Sequence, residues 1–242
     1  GTSENEEEKA ASKRPLSKIE KDRVVVLFIS FLLVIVFWGA FEQAGGLMNI
    51  YASEKTNRML MGWEVPASWF QSLNAMFIII FGTVVAAYWA KRKLNGKLSS
   101  SLFKMILGLI IMGAGFFFMT GASMQYDDGG SSAMYWLVLA YLFHTIGELC
   151  LSPVALSYIT KLSPVKYGSI MMGVYFAMTG FGNKLAGLLG ESASELGEYT
   201  IFTGIAVFCV LFGLLVMVFR NKLEKLTHGA EDNERIINTQ TE

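Results

Sequence analysis

"MYWLVLAYLFHTIGELCLSPVALSYIT", residues 134–160, is an almost unbroken apolar run with a glutamate, Glu148, near its centre. The run exceeds the roughly 20 residues a helix needs to cross a bilayer. A carboxylate at the middle of such a helix costs about 2.5–3.5 kcal/mol on insertion scales, so it is kept where it faces protein or water. His144, Glu148 and Ser152 recur at i, i+4 and i+8 and are expected to line one helix face. Pro153 follows at once. It cannot donate to the Leu149 carbonyl and its ring clashes there, which predicts a kink just beyond Glu148. A carboxylate beside a kink fits a hinged, water-accessible site. The competing account is a structural salt bridge or a carboxyl kept neutral by burial. His144 fits an interhelical hydrogen bond as well as a proton relay.

Composition places the rest of the chain in the same solvent. Hydrophobic residues make up 53% and charged residues 17%, against about 25% charged in soluble domains. The formal net charge is zero, so partners must be read from how charge is distributed. Cys150 and Cys209 both sit in apolar runs, which argues for packing roles and against a disulfide framework or a metal site. The polar start, residues 1–22, has no apolar core or cleavage site of a signal peptide and no initiator Met. It reads as a linker within a longer protein.

Six spans are expected, at about 23–46, 66–90, 101–123, 132–160, 166–190 and 198–220, followed by a polar tail, 221–242. Threading the chain through these spans sorts its basic residues. Seventeen of the 20 Lys and Arg fall on the side of both termini, and only Lys55 and Arg58 fall on the other. The remaining one, Lys184, lies within the fifth span. The positive-inside rule therefore predicts cytoplasmic termini. Two triplets of spans, the first entering from the cytoplasm and the fourth from outside, form the 3+3 inverted pattern of transporter repeats. "FWGAFE" at 37–42 and "FHTIGE" at 143–148 give a faint echo between the triplets.

Other polar groups sit at membrane depth. Trp38 and Glu42 share a face of the first span, Glu42 toward its outer half, where Gly45–Gly46 loosen the helix end. Gln71 and Asn74 lie one turn apart in the second span, where amides serve either as interhelical glue or as a site. Gly182, Ala186 and Gly190 form a stripe of small residues that predicts close helix packing, and Tyr175 and Thr179 share a face. Lys184 is expected to snorkel or to pair with an acid. The sequence has no phosphate-binding loop, zinc motif or nucleophile elbow. No catalytic residues, metal or cofactor are expected, and an enzyme is not predicted.

Three stretches together resemble a known family: "FWGAFEQAGG" (37–46), "VPASWFQSLNAMFI" (65–78) and "GELCLSPVALSYITKLSPVKYGSIMMGVYFAMTGFGN" (147–183). In order and spacing they are similar to the C-terminal six-helix half of the bacterial proton-dependent oligopeptide transporters, a branch of the major facilitator superfamily. The resemblance runs from about residue 20 to 220. It implies an all-α membrane protein whose spans are helices seven to twelve of the family, in a bacterial inner membrane. The implied function is proton-coupled symport of di- and tripeptides, with the proton as coupling ion. The implied partners are the peptide, an N-terminal six-helix half and the lipid bilayer, with no nucleic acid.

The resemblance also assigns residues. Glu148 matches the glutamate that holds the peptide amino terminus and joins a cytoplasmic-side salt bridge. Asn74 matches an asparagine facing the same amino group, and Trp38 matches a pocket wall. Ser152 matches a small polar position beside the glutamate. Glu42 matches an acid implicated in the extracellular gate and in proton coupling. Gln71, Tyr175 and Phe176 complete the substrate-binding set, and Lys184 joins Glu42 and Glu148 as a proton-coupling or gating candidate. Two positions depart from the pattern. Ala75 stands where many bacterial members have proline, and Tyr175–Phe176 where tryptophan is common, so side-chain pocket size stays open. Another major facilitator half, carrying nitrate, an amino acid or a drug-like substrate, remains an alternative, as does a non-transporting receptor or assembly subunit on the same fold.

Overall fold

A computed structural model describes residues 15–231. Most of the polar start and of the tail beyond Glu231 lie outside the described residues. Helix α1, Lys18–Phe41, starts earlier than the apolar run because Ser17 and Glu20 form a reciprocal capping box. A single 3-10 turn, Glu42–Ala44, follows it. The Glu42 carbonyl accepts the N–H groups of both Gly45 and Gly46. The chain then resumes as α2, Leu47–Glu54. The first apolar segment therefore runs to residue 54, beyond the expected end at 46, because the glycine pair bends the helix without stopping it.

Two-residue strands add a minor exception to the all-α reading. β1 (Thr56–Asn57) pairs in parallel with β4 (Ser132–Ala133). β2 (Met59–Leu60) and β3 (Trp63–Glu64) form a hairpin. Its turn residues Met61 and Gly62 both have positive φ, 52° and 84°, as a tight I′-type turn requires. Four long helices complete the chain, the second and third of them separated by a 3-10 turn at Val165–Tyr167. They are preceded by α3, Trp69–Leu94. The four are α4, Ser101–Gly129; α5, Met134–Leu162; α6, Gly168–Leu196; and α7, Glu198–Leu226.

Helix α4 is the core. Leu102, Met105, Ile106, Leu109, Met112 and Phe116 are all fully buried. Glycines let its neighbours approach backbone to backbone. A Cβ at Gly108 would lie 2.6 Å from the Gly147 carbonyl of α5, and a Cβ at Gly147 would lie 2.6 Å from the Gly108 carbonyl. A Cβ at Gly113 would lie 2.7 Å from the Cys209 Cβ of α7. Cys150 and Cys209 are buried, unpaired packing residues, as expected. A second seam joins α1 to α6, where a Cβ at Gly182 would meet the Trp38 Cβ at 2.8 Å. The small-residue stripe on α6 works at Gly182 and Ala186, both buried. It fails at Gly190, whose surroundings are open.

Among the described residues, five segments are long and apolar enough to cross a membrane. Helix α6 matches the others in length, at 29 residues, but Asn183, Lys184, Glu191 and Glu195 keep it below that hydropathy. Six apolar spans were expected, and the count on composition is five. Helix α5 continues through Pro153 to Leu162. The chain is a multi-pass membrane protein.

At the end of the bundle opposite the chain ends, Lys55 donates to Glu198 at 2.7 Å and lies 4.8 Å from the Tyr126 ring centre. Partial burial works against the Lys55 charge, but the hydrogen bond and charge of Glu198 outweigh it and raise the pKa above the ordinary lysine value. A raised folded-state pKa means this contribution is complete below the unfolded pKa and fades as pH rises through the folded one. Lys55→Met should therefore cost about 1 kcal/mol at neutral pH. The difference from wild type should shrink above about pH 10.5, read as thermal unfolding across pH.

Candidate functional site

Glu148 reaches out from α5 toward α3. The Asn74 side-chain amide donates to Glu148 Oε2 at 2.8 Å and to Thr145 Oγ1 at 3.2 Å. Thr145 in turn donates to the Tyr141 carbonyl one turn back, at 2.8 Å, which leaves its oxygen lone pairs for Asn74. Both amide hydrogens of Asn74 are thus used, and its carbonyl oxygen is spare. Among the described residues, Glu148 Oε1 has no protein donor. Tyr141 anchors the N-terminal half of α5 by donating to the Ala44 carbonyl at 2.8 Å. The arrangement is a half-buried carboxylate held on one oxygen by a fixed amide, with its other oxygen open to a cation.

The expected three-residue face does not hold. His144 is 1% exposed and packs tilted against the Phe116 ring of α4, 4.4 Å between ring centres, and among the described residues neither ring nitrogen has a hydrogen-bond partner. A step of four residues leaves about 40° of rotation on a helix. Wedged between α4 and α3, helix α5 turns that offset into a change of neighbour. Thr145, three residues before Glu148, takes the position beside Asn74 instead. It escaped the sequence reading because a threonine in an apolar helix bonds its own backbone as readily as another helix. Ser152 is half-buried one turn beyond Glu148, and Gln71 is exposed one turn from Asn74.

A second group lies on the α1–α6 seam. Trp38 packs edge-on to Phe37 and Phe41 at 5.7 and 5.4 Å, and its indole N–H is buried. The hydroxyl of Tyr175 lies near Trp38 and Thr179. Phe176 turns the other way and is 63% exposed. The adjacent aromatics therefore serve different faces, Tyr175 walling the seam and Phe176 pointing out of the bundle. Gln43 locks the same seam. It is 1% exposed and donates to the Gly39 and Ala186 carbonyls at 3.3 and 2.9 Å. Its signal in the sequence was an amide one turn past Gly39 on the Trp38 helix, read there only as part of a longer motif.

Glu42 lies on the 3-10 turn and lines a cavity of about 490 Å³ with Asn183, Ala186, Gly187 and Gly190. Among the described residues its carboxylate makes no ion pair. Lys184 is exposed and has no acidic partner among the described residues, which fits the snorkelling alternative there better than the pairing. The candidates fall into three places: Glu148, Asn74 and Thr145 on the α3–α5 seam, Trp38 and Tyr175 on the α1–α6 seam, and Glu42 at the cavity between the 3-10 turn and α6.

Comparison with known proteins gives the chain's family. The chain is 33% identical over 227 residues to the peptide transporter YePEPT of Yersinia enterocolitica subsp. palearctica serotype O:3 (strain YE-P4), covering 90% of the chain and 44% of that protein. It is 28% identical to the di-/tripeptide transporter of Lactococcus lactis subsp. cremoris, covering 86% and 43%. The fold matches the crystal structure of a POT family transporter in complex with a thioalcohol-conjugated peptide, with a TM-score of 0.79, 27% identity, and 87% and 44% coverage. The chain spans less than half the length of each of these proteins. The POT family model, PTR2, matches residues 7–202, and with the apolar bundle and its buried carboxylate already described, this chain belongs to the POT family.

Proposed function

We propose that this chain forms the C-terminal six-helix half of a proton-coupled di- and tripeptide symporter in a bacterial cytoplasmic membrane. In this reading both termini are cytoplasmic and the six long helices form a 3+3 inverted repeat. An N-terminal half supplies the rest of a central site. The observation that carries the proposal is the Asn74–Glu148 pair with its open carboxylate oxygen. A peptide zwitterion needs a negative pole for its ammonium group. Glu148 Oε1 and the spare Asn74 carbonyl oxygen can both accept from that ammonium, which fixes the orientation of the peptide. Trp38 and Tyr175 form the apolar wall. The likeness to a di-/tripeptide transporter supports the same substrate class.

Coupling follows from charge. A proton on Glu148 or Glu42 removes an acceptor for ammonium and for any basic residue of the other half. Binding of proton and peptide then biases the two halves between outward- and inward-facing states, because each has different affinity for them. Lys184, exposed on α6, is available to an acid of the other half.

The test is dipeptide uptake into proteoliposomes under an inward proton gradient, using this chain joined to its N-terminal half. Gradient-driven uptake that unlabelled dipeptides compete is the expected result. Flux of nitrate or an amino acid that dipeptides do not compete would move the substrate assignment. Peptide binding without proton-linked flux would make the protein a receptor on this fold. In the same assay Asn74→Leu should raise the apparent KM for dipeptide at least about tenfold, since a hydrogen bond to a charged group contributes about 1.5–3 kcal/mol. An unchanged KM would reduce Asn74 to interhelical glue.

A further inference from the structure

A second cavity, of about 570 Å³, opens at the end of the bundle that carries both chain ends, and Pro153, five positions beyond Glu148 on α5, forms part of its wall. Lys93 and Lys97 reach it from the end of α3, Lys104 from the first turn of α4, and Lys161 from the end of α5. Lys104 also rests 5.4 Å from the Trp89 ring centre. Residues 99–101 form another wall, and here the Ser100 hydroxyl caps the Phe103 N–H, which leaves the Ser101 and Leu102 N–H groups of the first turn of α4. One is already taken by an anion. The Ser101 N–H donates to the carboxylate oxygens of Glu231 at 3.0 and 3.3 Å. Glu231 arrives from a turn beyond the last helix, 130 positions along the chain. It is the one acid among the described lining residues, facing four lysines. Lys93 and Lys97 make no ion pair among the described residues.

We propose that this cavity binds a phosphate-bearing anion, with Glu231 as a built-in competitor for it. A phosphate group accepts several donors at once and suits both a helix N-terminus and clustered ammonium groups. The volume falls in the range of small-ligand sites and admits a phosphoglycerol headgroup. In the orientation proposed above the cavity faces the cytoplasmic leaflet, where basic pockets between membrane helices bind anionic headgroups. The lipid source rests on that orientation, whereas the anion chemistry does not. Pro153 and Ser157 on the cavity wall belong to the helix that carries Glu148, so an occupant touches the element that holds the peptide site.

The experiment uses the full-length protein containing this chain, delipidated in detergent. Native mass spectrometry and thermal unfolding are followed with phosphatidylglycerol, phosphatidylcholine and inorganic phosphate. Phosphatidylglycerol should be retained and raise the unfolding temperature, and phosphatidylcholine should not. Lys93→Gln and Lys97→Gln should each weaken retention several-fold. Glu231→Gln should tighten it, by about tenfold if the carboxylate holds the site nine-tenths of the time, although the variant loses a helix cap. Charges serving only topology or capping would not give that opposite sign. Inorganic phosphate that displaces the lipid and stabilises the protein alone would support the site with a soluble ligand as its source. Equal retention of the two lipids, indifference to the lysine variants, or weaker binding by Glu231→Gln would overturn the proposal. Because binding is read without transport, a failed uptake assay leaves this result standing, and the reverse also holds.

Discussion

Glu148→Gln should lower proton-driven dipeptide uptake at least about thirtyfold while leaving the protein folded. Glutamine keeps the size and one carbonyl oxygen, so the Asn74 amide still has an acceptor at the position it now bonds at 2.8 Å. What disappears is the charge offered to the peptide ammonium. Truncating one partner of a buried, hydrogen-bonded charge pair costs about 2–5 kcal/mol, and each 1.4 kcal/mol is a factor of about ten. The loss should exceed that of Asn74→Leu, which leaves the charge in place. Uptake by proteoliposomes under an inward proton gradient measures it, with an unchanged unfolding temperature as the check on folding. Uptake that survives the change would make Glu148 a structural acid and move attention to Glu42, which lines the cavity against α6.

Gly147→Leu should be the most damaging substitution in the bundle. A Cβ there would lie 2.6 Å from the Gly108 carbonyl, 2.9 Å from the Met112 Cβ and 3.1 Å from the Met112 amide nitrogen. Backbone cannot swing aside as a side chain can. The α4–α5 contact must therefore open, and its fully buried residues lose their packing along with it. Overpacking costs about 1–3 kcal/mol, and more where several atoms are forced in. That corresponds to a fall in unfolding temperature of about 10 °C, with a loss of folded yield in detergent. Gly204→Leu is the control. It sits on α7 with nothing within 4 Å of its added Cβ, and it should melt like wild type. Glu148 is the next residue, so a Gly147 variant that does fold should also lose peptide affinity.

The spans were legible because the bilayer imposes one rule on composition: an apolar run long enough to cross. The ends of the helices were less so. The Ser17–Glu20 capping box extends α1 to Lys18, a signal present in the sequence but masked by the polar residues around it. The continuation past Gly45–Gly46 and the short strands depend on backbone hydrogen bonds that no hydropathy pattern carries. Helix α6 looked like the other spans in length, yet Asn183, Lys184, Glu191 and Glu195 leave it less apolar than the rest.

For the site, the sequence by itself singled out Glu148 as the candidate, because a carboxylate in an apolar run is too costly to be incidental. It also marked Asn74 as an amide able to reach across helices. Only the tertiary structure decided who meets whom. Helix α5 touches α4 on one side and α3 on the other, so the rotation between positions four apart sends His144 into the core and Glu148 to Asn74. Thr145 joins the site for the same reason, and Phe176 leaves the seam that Tyr175 lines. Spacing along one helix states which residues share a face to within a few tens of degrees. Which neighbour that face meets is settled by the packing of the other helices, through glycines at Gly108, Gly147 and Gly182 that let them come close.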